Sequence, residues 1–365
     1  MTSNKKIDKM FEEAIEQGIF PGAVIAVANT KKTLLKSAYG LAEKIPVQRK
    51  TTFKTYYDIA SLTKPLCTTM LCMILTEKGL FDPDMPASKF ITPWKKEPHS
   101  KILLRHLLQH TSGLPAYKPY YENFLPKLLE GESPEEIRKA LVYRIVKESL
   151  ETEPGTLKTY SDLGFILLGE ILEKITQKPL EKLFQELIAK PLGLSHTFFI
   201  PLGGKNKLPL RTEYASTSRC GLRRKILAGE VEDEHAWILR GVAGHAGLFS
   251  NISDLMKISD EILKIESDRS KLLKRSTFRR FVDSKPSMGW DTPSPQGSQA
   301  GSFFIQKETI GHLGFTGCSI WIDLGRKFYV ILLSNRVHPN RYNEGIKEFR
   351  PKIHDLLLKG LRLVK

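Results

Sequence analysis

Ser61-Leu62-Thr63-Lys64 opens an apolar stretch that runs toward Leu80. Residues three apart on a helix share a face, so the Lys64 amine can reach the Ser61 hydroxyl. A serine alkoxide is inaccessible at its free pKa and forms only beside a base. Lysine serves when desolvation lowers its pKa, and a helix N-terminus favours the developing alkoxide. Taken alone, S-x-x-K also fits a capping serine followed by an exposed lysine. A second candidate is Tyr160-Ser161-Asp162, at the head of another apolar helix. Its phenol acts as a general base where a cation such as Lys64 lowers its pKa; the alternative is a helix cap by Ser161 or Asp162 with Tyr160 packed beside it. A third is Gly311-His312-Leu313-Gly314-Phe315-Thr316-Gly317. Glycines there admit a substrate backbone and a sheet edge can offer a main-chain N–H to an oxyanion, the alternative being a bulged edge with an ordinary histidine.

Elements that would carry these segments are readable from periodicity. Ile7, Met10, Phe11, Ala14 and Ile15 form a helical stripe ended by Gly18, and strands follow over Gly22–Ala28 and Thr33–Tyr39. Near the other end, Cys318–Asp323 and Lys327–Ser334 form a second strand pair around a Leu324-Gly325-Arg326 turn. After Pro351, Ile353, Leu356, Leu357 and Leu361 share a helical face. The middle carries helical patterns over Leu66–Lys78, Ile102–His110, Pro134–Lys147, Leu163–Thr176 and Pro179–Lys190. The expected fold class is therefore α+β, an antiparallel sheet flanked by helices. Residues 1–65 and 240–365 form its discontinuous sheet region, residues 66–239 a mainly helical insertion, and the site lies at their junction.

Composition narrows the function classes. With 365 residues, 41% hydrophobic, the chain can bury a substantial core. No run approaches the ~18 apolar residues of a membrane span. The N-terminus lacks the apolar core of a secretory signal, which implies a cytoplasmic protein, or a periplasmic or extracellular one if a signal was removed. Cys67, Cys72, Cys220 and Cys318 lack metal-site spacing and read as free thiols. His106 and His110 are four apart, a zinc-compatible spacing, but no third ligand is evident and a structural role is expected. His245, in a glycine-rich turn, is expected to bond to backbone, and Trp290 and Asp291 to line the site's entrance. The net charge of +16 suits acidic partners. The run Arg269, Lys271, Lys274, Arg275, Arg279, Arg280 could touch nucleic acid, but no stacking aromatics accompany it, so a solvated face is expected and no nucleic-acid partner.

Ser61-x-x-Lys64, Tyr160-x-Asp162 and His312-x-Gly314, in that order and about 100 and 150 residues apart, resemble the class C β-lactamase family of serine hydrolases, which also holds DD-peptidases and carboxylesterases. Leu104–Pro115, Gly241–Ser250 and Asn335–Pro339 are similar to family segments, so the resemblance spans most of the chain. It implies Ser61 as nucleophile, Lys64 and Tyr160 as proton-transfer partners, and the N–H groups of Ser61 and Phe315 as the oxyanion hole. Asp162, His312, Gly314 and Phe315 would contact substrate, and neither a metal nor an organic cofactor is required. His312 stands where β-lactamases have a lysine facing the substrate carboxylate, and Asp162 where many members have asparagine, an acceptor-only group in place of an amide donor. Both departures point away from efficient β-lactam hydrolysis. The expected reaction is hydrolysis of a small ester or amide through a Ser61 acyl-enzyme. A D-alanyl peptidase or a weak β-lactamase is the alternative, then a penicillin-binding sensor without turnover. The oligomeric state stays open.

Overall fold

Apolar residues alternating with period two build the centre of the protein from both ends of the chain. The computed structural model describes residues 3–203, 208–295 and 297–364. Six antiparallel strands, β1 (Gly22–Asn29), β2 (Thr33–Glu43), β3 (Arg49–Lys50), β4 (Thr309–Leu313), β5 (Ser319–Asp323) and β6 (Phe328–Ser334), lie in the order β3-β2-β1-β6-β5-β4. The two ends meet where β1 pairs with β6, from Ala23 opposite Ser334 to Asn29 opposite Phe328. Ala23, Ile25, Val27, Val330 and Leu332 point to one face, where Phe11 of the Ser3–Glu16 helix and Ile353 and Leu357 of the Ile346–Gly360 helix cover them. Val24, Ala26, Ile331 and Leu333 point to the other, into one continuous core with the helices Met70–Glu77, Asp162–Thr176 and Ile252–Glu266. The architecture is thus α+β, and β4, which carries His312, is an edge strand.

Several elements depart from the periodicity. The helix expected over Ile102–His110 spans only Leu104–Leu108, because His110 turns left-handed at φ +59° and Thr111 N–H closes back on the His106 carbonyl at 2.8 Å. The last helix begins at Ile346 and contains Pro351. Proline cannot donate to the carbonyl four residues earlier; that carbonyl, on Lys347, instead accepts the Gln299 side-chain amide at 2.8 Å. The Pro179–Lys190 pattern breaks into Leu180–Phe184, a wider turn over Gln185–Ala189, and Lys190–Leu192. A small sheet of Tyr57–Asp58, Leu248–Ser250 and Phe198–Phe199 is too short for any alternation to reveal.

The basic run folds as the helix Arg275–Val282 and its approaches. Arg275 and Arg279 both bind Glu266, and Arg280 binds Asp82 and Asp84. Much of its charge is therefore spent on intramolecular carboxylates. Among the described residues no helix is long and apolar enough to cross a membrane, no cluster of His, Cys, Asp or Glu is arranged to hold a metal, and all four cysteines are buried and free.

Candidate active site

The turn bearing Ser61 is built by Asp58. Its carboxylate accepts the Ala60 N–H at 2.8 Å and the Glu232 N–H at 2.7 Å. Together these hold Ala60 at φ +47°, a conformation that costs a non-glycine residue on the order of 1–2 kcal/mol. Thr63 locks the other side, its hydroxyl donating to the Ala60 carbonyl at 2.7 Å and accepting the Leu248 N–H at 3.2 Å. A tight turn over Ala60–Leu62 then leads into a wide helical turn, Lys64–Thr69, and the Met70–Glu77 helix. This projects Ser61 from an over-determined backbone.

Lys64 is fully buried. Its ammonium donates to Ser61 Oγ at 2.9 Å and to the His245 carbonyl at 3.1 Å, and lies 2.7 Å from Asp162 Oδ1. Burial by itself would lower the Lys64 pKa, but the Asp162 carboxylate and the Tyr160 oxygen outweigh burial and hold it above the ordinary lysine range. Of the two roles the sequence allows Lys64, a base neutralised by desolvation or a cation beside Tyr160, the electrostatics favour the cation.

Tyr160 hydrogen-bonds through its phenol to both Lys64 and Ser61. Although 44% of the residue is exposed, the exposed part faces the cavity, since the oxygen is occupied and the ring lies 4.9 Å from the Lys64 nitrogen. Burial of the hydroxyl pushes its pKa up, against the pull of Lys64. The expected lowering by a neighbouring cation does not prevail, and Tyr160 rests as a neutral phenol.

Tyr160 and Asp162 are clamped by the segment after the Leu104–Leu108 helix. The His110 carbonyl accepts the Thr159 N–H at 2.8 Å, His110 Nδ1 accepts the Ser161 N–H at 3.0 Å, and the Ser161 hydroxyl donates to the Pro115 carbonyl at 2.7 Å. Ser161 precedes the Asp162–Thr176 helix without capping it through its side chain. The His110 ring packs 4.5 Å from that of Tyr160, and burial holds its pKa well below the ordinary value. His106 Nδ1, by contrast, accepts the Leu103 N–H at 3.2 Å. The two histidines therefore serve main-chain donors.

On β4, His312 is 5% exposed and its Nδ1 contacts the Leu313 carbonyl at 2.8 Å. A nitrogen facing a carbonyl must carry the proton, so Nε2 is left as an acceptor. Burial, then the Lys64 charge, lowers its pKa to about 3. Next along the chain, Gly314 donates its N–H to the Cys318 carbonyl at 2.7 Å. A Cβ on Gly314 would lie 2.6 Å from the Ile59 carbonyl oxygen, just before the Ser61 turn. Gly314→Ala is therefore expected to destabilise by about 1–3 kcal/mol and to cut ester turnover, since the turn must shift; thermal melting and a nitrophenyl ester assay check it. The Phe315 N–H meets no acceptor among the described residues, while its carbonyl is fixed by Arg336 Nε at 2.9 Å.

Ser61, His110, Tyr160, His312, Gly314 and Phe315 line one cavity of about 460 Å³ with Trp290 and Asp291. Lys158, Arg336, Lys347 and Arg350 add positive charge to its walls. A cavity of about 500 Å³ elsewhere, between Phe90–Pro93 and the helices bearing Arg138 and Glu170, is lined by no serine, cysteine or histidine.

Two contributors escaped the sequence reading. Asp58 is one, a lone acid between Tyr57 and Ile59 just ahead of Ser61, a placement that could have marked it. Burial raises its pKa to about 7. A carboxyl whose folded pKa is raised contributes stability present below its unfolded pKa and lost as pH rises through the folded one. Its contribution therefore falls between about pH 4 and pH 7, and the melting temperature of wild type is expected to drop over that window more than that of Asp58→Asn. The other is Asp233, whose Oδ1 binds His245 Nε2 at 2.8 Å. The His245 ring thus pairs with a carboxylate where a backbone bond was expected, and its own carbonyl holds Lys64.

An antiparallel sheet flanked by helices, with a serine–lysine–tyrosine group at the floor of a cavity beside the sheet edge, defines a hydrolase of the β-lactamase and transpeptidase-like kind. A Beta-lactamase family model matches residues 7–353, and the chain belongs to that family. It is 33% identical over 367 residues to a Bacillus subtilis (strain 168) protein named "N-acetylmuramyl-L-alanine amidase", covering 92% of this chain and 81% of that one. It is 29% identical over 380 residues to an Escherichia coli (strain K12) protein named "Putative D-alanyl-D-alanine carboxypeptidase", covering 93% and 86%. Among solved structures it resembles "EstCE1, a hydrolase with promiscuous acyltransferase activity", with a TM-score of 0.73 at 19% identity over 97% of this chain and 98% of that one.

Proposed function

We propose that the protein hydrolyses an ester or amide bond in two acyl-transfer steps on Ser61. One observation carries the reading: Ser61, partly buried and lining the cavity, is held through Oγ by Lys64 at 2.9 Å and by the Tyr160 phenol. Ser61 attacks the carbonyl carbon and Lys64 and Tyr160 carry its proton to the leaving group. The N–H groups of Ser61 and Phe315 receive the oxyanion, and water then releases the acyl group.

A small amide or ester is the first substrate class, and the relative named as a muramyl-alanine amidase makes N-acetylmuramyl-L-alanine the compound to test. The cationic walls favour a substrate bearing a carboxylate. They also support a second reading, a D-alanyl peptidase, in line with the carboxypeptidase-named relatives. β-Lactams rank last, because a neutral His312 offers an acceptor where their carboxylate would need a cation.

Parallel assays with a nitrophenyl ester, N-acetylmuramyl-L-alanine, a D-Ala-D-Ala peptide and nitrocefin rank these classes. Turnover of at least one, lost in Ser61→Ala, is expected. No turnover together with stoichiometric, unreleased acylation of Ser61 would turn the reading to a ligand sensor.

A further inference from the structure

We infer that Asp162 is the terminal acceptor of the Ser61 proton, which reaches it through Lys64. The inference rests on the acyl-transfer reading above and reassigns Asp162, expected from the sequence to face substrate. Three observations carry it. Lys64 Nζ lies between Ser61 Oγ at 2.9 Å and Asp162 Oδ1 at 2.7 Å, so one nitrogen bridges donor and sink. Lys64 is fully buried while Asp162 is 20% exposed, so no water need intervene between them. Of its other contacts, the His245 carbonyl has no capacity to take a proton and the Tyr160 phenol already carries one.

A charged lysine has no lone pair for the serine proton; it must first give one up. Asp162 is the carboxylate in contact with it. In the step, a bond forms between Ser61 Oγ and the substrate carbonyl carbon, and the carbonyl π pair moves onto oxygen. The Ser61 proton passes to Lys64 as Lys64 passes one of its own to Asp162. On collapse the bond to the leaving group breaks, and that group takes the Tyr160 proton. Lys64 replaces it and recovers its own from Asp162, so every proton is returned. Lys64 is a cation before and after the step, so the net change moves the negative charge of Asp162 to the substrate oxyanion.

Measuring the acylation burst of a nitrophenyl ester from about pH 6 to 9 in wild type, Asp162→Asn and Asp162→Glu, with Ser61→Ala alongside, tests this. The groups facing the pair are Tyr160, His110, His312, His235 and the Asp233–His245 pair. Burial keeps His110 and His312 neutral over this range and lowers the His235 pKa, and His235 and the Asp233–His245 pair are common to all variants. Wild type should show a plateau. Asp162→Asn should lose about a hundred-fold or more at neutral pH and rise with a slope near one, because Lys64 must then lose its proton to solvent. Asp162→Glu should regain the plateau, and it decides the matter alone if the asparagine variant does not fold. A flat profile and full rate in Asp162→Asn, or a rising profile in Asp162→Glu, overturns the relay while the Ser61 reading stands. Activity unchanged in Ser61→Ala overturns both.

Discussion

Ser61→Ala should lower kcat/KM for an activated ester at least about a thousand-fold while leaving the melting temperature nearly unchanged. Removing the nucleophile of a covalent mechanism leaves only binding and oxyanion stabilisation, which sustain a small residual rate. The structural cost is low because Ser61 is only partly buried and its hydroxyl is one of several partners of Lys64, which keeps Asp162 and the His245 carbonyl. A fluorophosphonate probe should label wild type on the peptide containing Ser61 and leave the variant unlabelled. An adduct on any other serine, or full ester turnover in the variant, would remove the basis of the proposed mechanism.

Lys64→Met is expected to be as damaging to rate and far more damaging to the fold. Methionine preserves the stem volume but withdraws the ammonium from Ser61, Asp162 and the His245 carbonyl together. Breaking one side of a buried ion pair costs about 3 kcal/mol at the lower end of the range, appropriate here because Asp162 keeps 20% of its side chain exposed. The double variant Lys64→Met/Asp162→Asn removes the stranded charge as well, and should melt above Lys64→Met while remaining inactive. Thermal melting of the set, read as a double-mutant cycle, measures the coupling. Equal melting temperatures for the single and double variants would show that the pair contributes nothing to stability.

The cavity's chemistry also bears on specificity. Its walls carry Lys158, Arg336, Lys347 and Arg350 against Asp291, 3.7 Å from Lys158. Arg350 is almost fully buried, and among the described residues its guanidinium donates to the Gly314 and Cys318 carbonyls and the Gln299 amide oxygen. With His312 neutral, the positive field beside Ser61 comes from this wall and from Lys64.

What could be read in the sequence was local or repetitive. Ser61 and Lys64 lie one helical turn apart, so their approach follows from backbone geometry alone. β1, β5 and β6 announce themselves through residues that must alternate between two apolar faces, and the ordered trio of motifs carries the resemblance to the β-lactamase family. Tertiary structure decided everything that depends on which distant group stands beside which. Sequence cannot show that Asp162 turns to Lys64, that His110 clamps Ser161, or that Asp58 holds the turn by reaching Glu232. Nor can it show that Arg279 is neutralised by Glu266. The same cause explains the charge states. Burial alone would neutralise a lysine beside a serine; that Lys64 is instead held as a cation follows first from a carboxylate 98 positions away in the chain, brought to 2.7 Å by tertiary packing, and then from the Tyr160 oxygen. Spacing along a polymer sets contacts within a turn or a strand, whereas contacts between elements, and the electrostatics they impose, exist only once the core has closed.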